Sequence, residues 1–307
     1  MKDIRMGLSV AEGSDLESLL QRFRQVETDG FQSAWIANIF GFDALTVAAL
    51  AAGVTRTLEL ATAVVPTFSR HPFYMAQQAL STQAAAGGRF VLGLGPSHKI
   101  VIENMLGLSF DRPARHVREY VTVVTQLIET GKTSFEGEVY RVNASLNVPC
   151  ESPCPVLIGA LGPLMREIAG RLAGGTITWM TGPRTLGDAV VPGVRAAAKA
   201  AGRSDPRIVA GFPVVLTDDP AAAREAAGKL FALYGTLPSY RAMLDAEGLE
   251  SPGDIAIAGD ERAIEASLRS LASAGVTDFN AALCPFGPDP KQTMSRTQEL
   301  LAELARG

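Results

Sequence analysis

Apolar and polar positions along this chain of 307 residues switch repeatedly between two periods. Short β-rich runs occur at residues 4–10, 33–37, 58–65, 89–94, 155–158, 175–180, 208–216 and 278–282, which read as eight strands. Between them apolar residues recur three and four apart, as in 15–28 (Leu16, Leu19, Leu20, Phe23, Val26), 72–86, 113–130, 163–172 and 220–234. Several of these helical segments open on proline, whose fixed φ and missing N–H suit the first helical turn. This alternation predicts an α/β fold, a parallel sheet wrapped by helices. Eight such units in a chain somewhat longer than the ~250 residues of a minimal barrel predict one (β/α)8 TIM barrel over 1–307. A doubly wound open sheet is the alternative. Two stretches exceed a minimal barrel: 132–147, where TSFEGEVYRVN reads as a hairpin, and 235–254, a helical excursion after the seventh helix.

Composition narrows the partners. The chain is 47% hydrophobic and 20% charged with a net charge of −4, so it buries a large core and carries no basic surface for nucleic acid. No apolar stretch approaches the ~20 residues of a membrane span, and the expectation is a cytoplasmic protein acting on a small molecule. Cys150, Cys154 and Cys284 do not match the usual zinc spacings and read as free thiols; no metal is expected.

In a barrel of this kind the site lies where strands end. The strand ends present Ser9, Asn38, Pro66, Thr67, Ser97, His98, Gly159, Ala160, Thr178, Thr181, Thr217 and Cys284. Few ionise. A Schiff-base enzyme needs a lysine in the mouth, and Lys99 falls just outside it. A metal-dependent hydrolase needs several carboxylates or histidines that are missing here. Such a mouth suits an organic cofactor that carries the reaction while the walls orient it. GLGPSHK (93–99) is not a dinucleotide fingerprint, because His98 stands where the third glycine belongs. The turn IGALGP (158–163), small residues before a helix, is a candidate phosphate-binding turn.

Four blocks, SAWIANIFGFDAL, LATAVVPTFSRHPFYMAQQALSTQAAAGGRFVLGLGPS, FDRPARHVREYVTVVTQLIETGKTSFEGEVYRV and CPVLIGALGPLMREIAGRLAGGTITWMTGP, resemble the luciferase-like flavin and deazaflavin oxidoreductases, in particular the coenzyme F420-dependent branch. The resemblance implies a cofactor ring at the barrel mouth. It implies contacts from Asn38, Ala63, Val64, Gly95, Pro96, Ser97, His98, Gly159, Ala160, Leu161, Gly162, Trp179 and Met180, with a cis peptide at Ala63–Val64. His98 takes the place where the sugar-phosphate dehydrogenase of this family has a glutamate proton donor, and is the candidate catalytic residue. Asn38 and Ile39 replace an Asp-His pair of F420-dependent relatives. A mostly apolar substrate pocket is expected from Ser9, Phe40, Phe42, Phe68, Trp179, Cys284 and Phe286. His71 reads as a helix cap, and His116 as part of a solvated, salt-bridged helix face with Arg112, Arg115, Arg118 and Glu119. The implied activity is hydride exchange between the deazaflavin C5 and a fairly apolar small molecule. An FMN-dependent monooxygenase using reduced flavin and O2 is the alternative, and a non-catalytic flavin-binding or carrier protein the second. A homodimer is expected.

Overall fold

The computed structural model describes residues 4–10 and 15–307. In chain order its strands are β1 (Arg5–Ser9), β2 (Ser33–Ile36), β3 (Glu59–Thr62), β4 (Val65–Pro66), β5 (Phe90–Gly95), β6 (Lys132–Glu136), β7 (Arg141–Ser145), β8 (Val156–Gly159), β9 (Gly175–Trp179), β10 (Arg207–Leu216), β11 (Ile257–Gly259) and β12 (Asp278–Leu283). Strands β1, β2, β3, β5, β8, β9, β10 and β12 pair in parallel, each with the next, and β12 returns to β1. The closed eight-stranded barrel is thus present, and the open sheet is excluded. The helices are α1 (Leu16–Thr28), α2 (Ala44–Ala52), α3 (Pro72–Ala85), α4 (Pro113–Thr130), α5 (Pro163–Leu172), the single turn α6 (Pro183–Thr185), α7 (Val191–Ala200), α8 (Pro220–Leu230), α9 (Pro238–Glu247), α10 (Glu261–Ser273) and α11 (Pro290–Arg306). Among the described residues no helix is long and apolar enough to cross a membrane.

Because side chains alternate along a strand, the barrel has two cores. Met6, Leu8, Phe90, Leu92 and Phe279 face the helices, whereas Trp35, Ala61, Val91, Leu157, Ile177 and Val209 fill the barrel. Trp35 is the large residue of that inner layer and dictates its neighbour. A Cβ on Gly7 would lie 2.3 Å from Ser33 Oγ and 2.5 Å from Trp35 Nε1, so β1 carries glycine there. At the N-terminal ends of the strands, Arg207 bonds Asp278 (2.6 Å) and Glu59 (2.8 Å), and Arg5 joins both acids at 3.2 and 3.3 Å. This network closes the barrel floor.

The structure departs from the sequence reading in the third strand, expected as one run over 58–65. It breaks after Thr62 and resumes as β4, which pairs with β5 through Val65↔Leu94 and Pro66↔Gly95. Across the break the Thr62 hydroxyl substitutes for the ladder: it donates to the Gly93 carbonyl (2.9 Å) and accepts from the Gly93 N–H (2.8 Å). The short β11 beside β10 was not expected either. The stretch 132–147 does form an antiparallel hairpin, and 235–254 contains α9 between two 3₁₀ turns, Ala232–Thr236 and Pro252–Ile255.

Candidate active site at the barrel mouth

The break in the third strand shapes the floor of the mouth. Ala63–Val64 is a cis peptide, as the resemblance implies, and the Val64 side chain lies over two glycines of neighbouring strands. A Cβ on Gly95 would sit 2.6 Å from Val64 Cγ2, and one on Gly159 3.7 Å from Val64 Cγ1. Gly93 has no room at all, since its Cβ would be 1.9 Å from the Thr62 carbonyl oxygen. The glycines of GLGPSHK therefore admit the Thr62–Val64 bulge into the mouth. Thr67, which follows β4, donates its N–H to the Gly95 carbonyl (2.9 Å). The turn after β8 leads into α5, whose N-cap Gly162 offers no side chain to the first turn and has open space where a Cβ would stand.

His98 follows β5 directly. Ser97 before it holds φ +62°, a left-handed conformation that a non-glycine residue adopts only when its surroundings enforce it. The His98 ring is half-buried and meets Tyr240 of α9 at 5.7 Å between centroids. Burial pushes its pKa below the ordinary imidazole range. Tyr240 in turn packs edge-on against Tyr234 (4.9 Å), and Tyr234 and Phe231 both pack on Trp179 at the end of β9 (6.2 and 5.6 Å). A Cβ on Gly211 would fall 2.8 Å from Trp179 Cε3, so the indole lies across the barrel interior. The excursion after α8 thus forms an aromatic wall from β5 to β9. Tyr240, Tyr234 and Phe231 were missed because nothing local in sequence ties them to His98; only Tyr240 falls in the expected excursion 235–254, and Phe231 and Tyr234 end the helix expected over 220–234.

Several expected contacts lie elsewhere. Met180 is 1% exposed and packs in the core between barrel and helices; Trp179 points inward, so its successor, at φ +49°, points out. Ala160 is likewise in that outer core. Cys284 is buried with Val215, Ala223 and Ala258 under Phe231 and Phe286, and burial pushes its thiol up to about 12. It packs against α8 and β11 instead of opening on the mouth. Phe40 is 69% exposed and Phe42 41%, at the rim of the β2–α2 loop. Asn38 has a structural duty: its Oδ1 accepts from the Ala44 N–H (3.0 Å) at the start of α2. Ser9 ends β1, half-buried, and Pro96, Leu161 and Gly162 are half-buried in their turns. The three cysteines are free, and His71 caps α3 through Nδ1, which accepts from the Phe73 N–H (3.3 Å).

His116 requires a correction. It is buried, not solvated: Nε2 is 3.0 Å from Thr67 Oγ1, and the ring stacks on Phe68 at 3.7 Å. Burial depresses its pKa to about 4, with the Thr67 hydrogen bond and the charge of Glu119 opposing. The neutral ring supports Thr67 and Phe68 from beneath. The signal was present in sequence, since His116, Tyr120 and Val124 recur at i, i+4 on the apolar face of α4. Glu119 is also buried and accepts from the Glu138, Val139 and Tyr140 N–H groups (3.1, 2.8 and 2.9 Å), which pins the hairpin to α4.

Comparison with known proteins places this geometry. Residues 3–305 match the family model of the luciferase-like monooxygenases. The 5,10-methylenetetrahydromethanopterin reductase of Methanopyrus kandleri is 25% identical over 96% of each chain. The solved coenzyme F420-dependent tetrahydromethanopterin reductase from the same organism shares the fold with a TM-score of 0.82, at 23% identity over 98% of this chain and 97% of that one. An F420-dependent secondary alcohol dehydrogenase, solved with an F420–acetone adduct, gives 0.80 at 19% identity over 97% and 98%. The oxygenating constituent of 3,6-diketocamphane monooxygenase from Pseudomonas putida, solved with FMN, gives 0.76 at 15% over 98% and 97%.

Proposed function

The chain belongs to the luciferase-like monooxygenase family, and from that premise we infer that it is a coenzyme F420-dependent oxidoreductase acting on a fairly apolar small molecule. The observation that carries this reading is the pairing of an apolar platform, Val64 over Gly95 and Gly159, with a half-buried histidine on the loop that leaves Gly95. The residues present fit a deazaflavin: the platform suits a flat ring, and the uncapped first turn of α5 suits an anionic tail through its N–H groups and helix dipole. A bound deazaflavin would supply hydride exchange at C5.

The chain's own residues do the rest. Val64 would support a bound ring, Trp179 and Phe68 would line the substrate pocket, and the aromatic wall from 231 to 240 would exclude water. His98, neutral at pH 7 because burial lowers its pKa, accepts a proton on an imidazole nitrogen when the substrate is oxidised and returns it in the reverse direction. The experiment is a fluorescence titration of the purified protein with F420 and with FMN. F420 binding is expected, and tight FMN binding without F420 binding overturns the reading. His98→Gln, with cofactor affinity retained, should lower turnover about 100-fold; unchanged turnover removes the histidine from proton transfer.

A further inference from the structure

We propose that the excursion after α8 is a latched cover, held shut by the Glu247 carboxylate on the loop after β9, and that its Tyr240 is the positioning residue for His98. The imidazole meets the Tyr240 ring and has no hydrogen-bond partner among the described residues. Its orientation is therefore set by packing alone, and the packing partner belongs to a separate element. Tyr240 sits near the start of α9; the end of the same helix carries the latch.

Glu247 Oε1 accepts the Thr185 N–H at 2.5 Å, and Arg184 donates to the Ala246 carbonyl. The carboxylate fills the space that Gly182 leaves empty: a Cβ there would lie 2.3 Å from Glu247 Cδ. Gly182 has an ordinary φ of −70°, so this glycine answers to the space Glu247 occupies and not to backbone conformation. Helix α9 joins the latch to Tyr240, and from His98 the contacts run ring on ring through Tyr240 and Tyr234 to Trp179. Two polar bonds, to Glu247 and to the Ala246 carbonyl, thus tie the end of α9 to the segment after β9, and releasing the Glu247 latch loosens Trp179 and His98 together. The catalytic consequence rests on the reading of His98 given above; the mechanical part does not.

The test starts on the protein without cofactor. The chain has two tryptophans, and Trp35 is fully buried, so a shift in emission reports Trp179. Glu247→Ala and Gly182→Ala, which attack the latch from its two sides, should each red-shift the emission and raise amide exchange across 231–247 about tenfold. Combined, they should do no more than either alone. Glu247→Gln keeps an acceptor for the Thr185 N–H and should restore most of the protection. Unchanged emission and exchange in both alanine variants overturn the latch, whatever the catalytic role of His98. With cofactor and substrate present, Tyr240→Ala should cut kcat about tenfold or more while Tyr240→Phe, which keeps the ring, does not. Equal loss in both would overturn positioning by the ring. If His98→Gln leaves turnover intact, the functional reading fails by itself, and emission and exchange still decide the latch.

Discussion

Gly95 and His98, three positions apart, illustrate how single residues set the site. At Gly95 the space for a side chain is taken by Val64, so Gly95→Ala must push the valine off its place at the mouth. Overpacking of this kind costs about 1–3 kcal/mol, and cofactor affinity should fall about tenfold or more in a binding titration, with the fold intact by circular dichroism. At His98 the deciding property is charge. Burial lowers its pKa below the usual ~6.5, and in the role proposed for it the imidazole accepts a proton only when deprotonated. Substrate oxidation should therefore be level from about pH 7 upward and decline as pH falls through a value below 6.5. That acid limb should vanish in whatever activity His98→Gln retains. Both residues were legible in sequence because strand five and its loop are contiguous. Tyr240 was not, since its approach to His98 is a tertiary event, and Met180 was placed at the mouth together with Trp179 although neighbours along a strand face opposite sides.

The elements themselves were legible wherever the hydrophobic period was sustained, as in α1, α4 and α5. They were not where a side chain replaced backbone pairing. LELATAVV (58–65) reads as one strand, and the Thr62 hydroxyl bridging Gly93 shows where the ladder stops. The hairpin of β6 and β7 was visible in sequence, but its anchor was not, because Glu119 looked like a surface charge. Desolvation raises the Glu119 pKa, yet three N–H donors and Arg115 outweigh it, so the net shift is downward. A carboxyl whose folded pKa is depressed adds stability above its unfolded value of ~4.3, and that stability is lost as pH falls through the folded value. Glu119→Gln should cost about 1.5–3 kcal/mol at pH 7. In urea unfolding the gap between wild type and variant should narrow progressively below about pH 4.

Across the whole barrel, the proposed site and the main buried charge network occupy opposite ends. The mouth holds the left-handed Ser97, the bulge at Thr62–Val64 and His98, whose imidazole has no hydrogen-bond partner among the described residues. The floor holds Arg207 between Asp278 and Glu59, drawn from three strands. Desolvation opposes the Arg207 charge, but the two carboxylates more than compensate and keep its pKa raised. Asp278 is 1% exposed and Arg207 24%, so Asp278→Asn leaves a half-buried guanidinium short of a partner and should cost about 2–4 kcal/mol, toward the lower end of buried pairs. Trp35 lies between floor and mouth, with Arg207 6.0 Å from its ring, and it is the route by which damage at one end would reach the other. Its full burial in the inner layer argues against transmission, since a packed layer that keeps its shape screens the mouth. The cofactor, at a hundred times its Kd, should add about 2.7 kcal/mol to the stability of the folded state. If floor and mouth are independent, that increment is the same in wild type and in Asp278→Asn when both are unfolded in urea with and without cofactor. An increment smaller by more than about 0.5 kcal/mol in the variant would show that the floor also sets the geometry of the site.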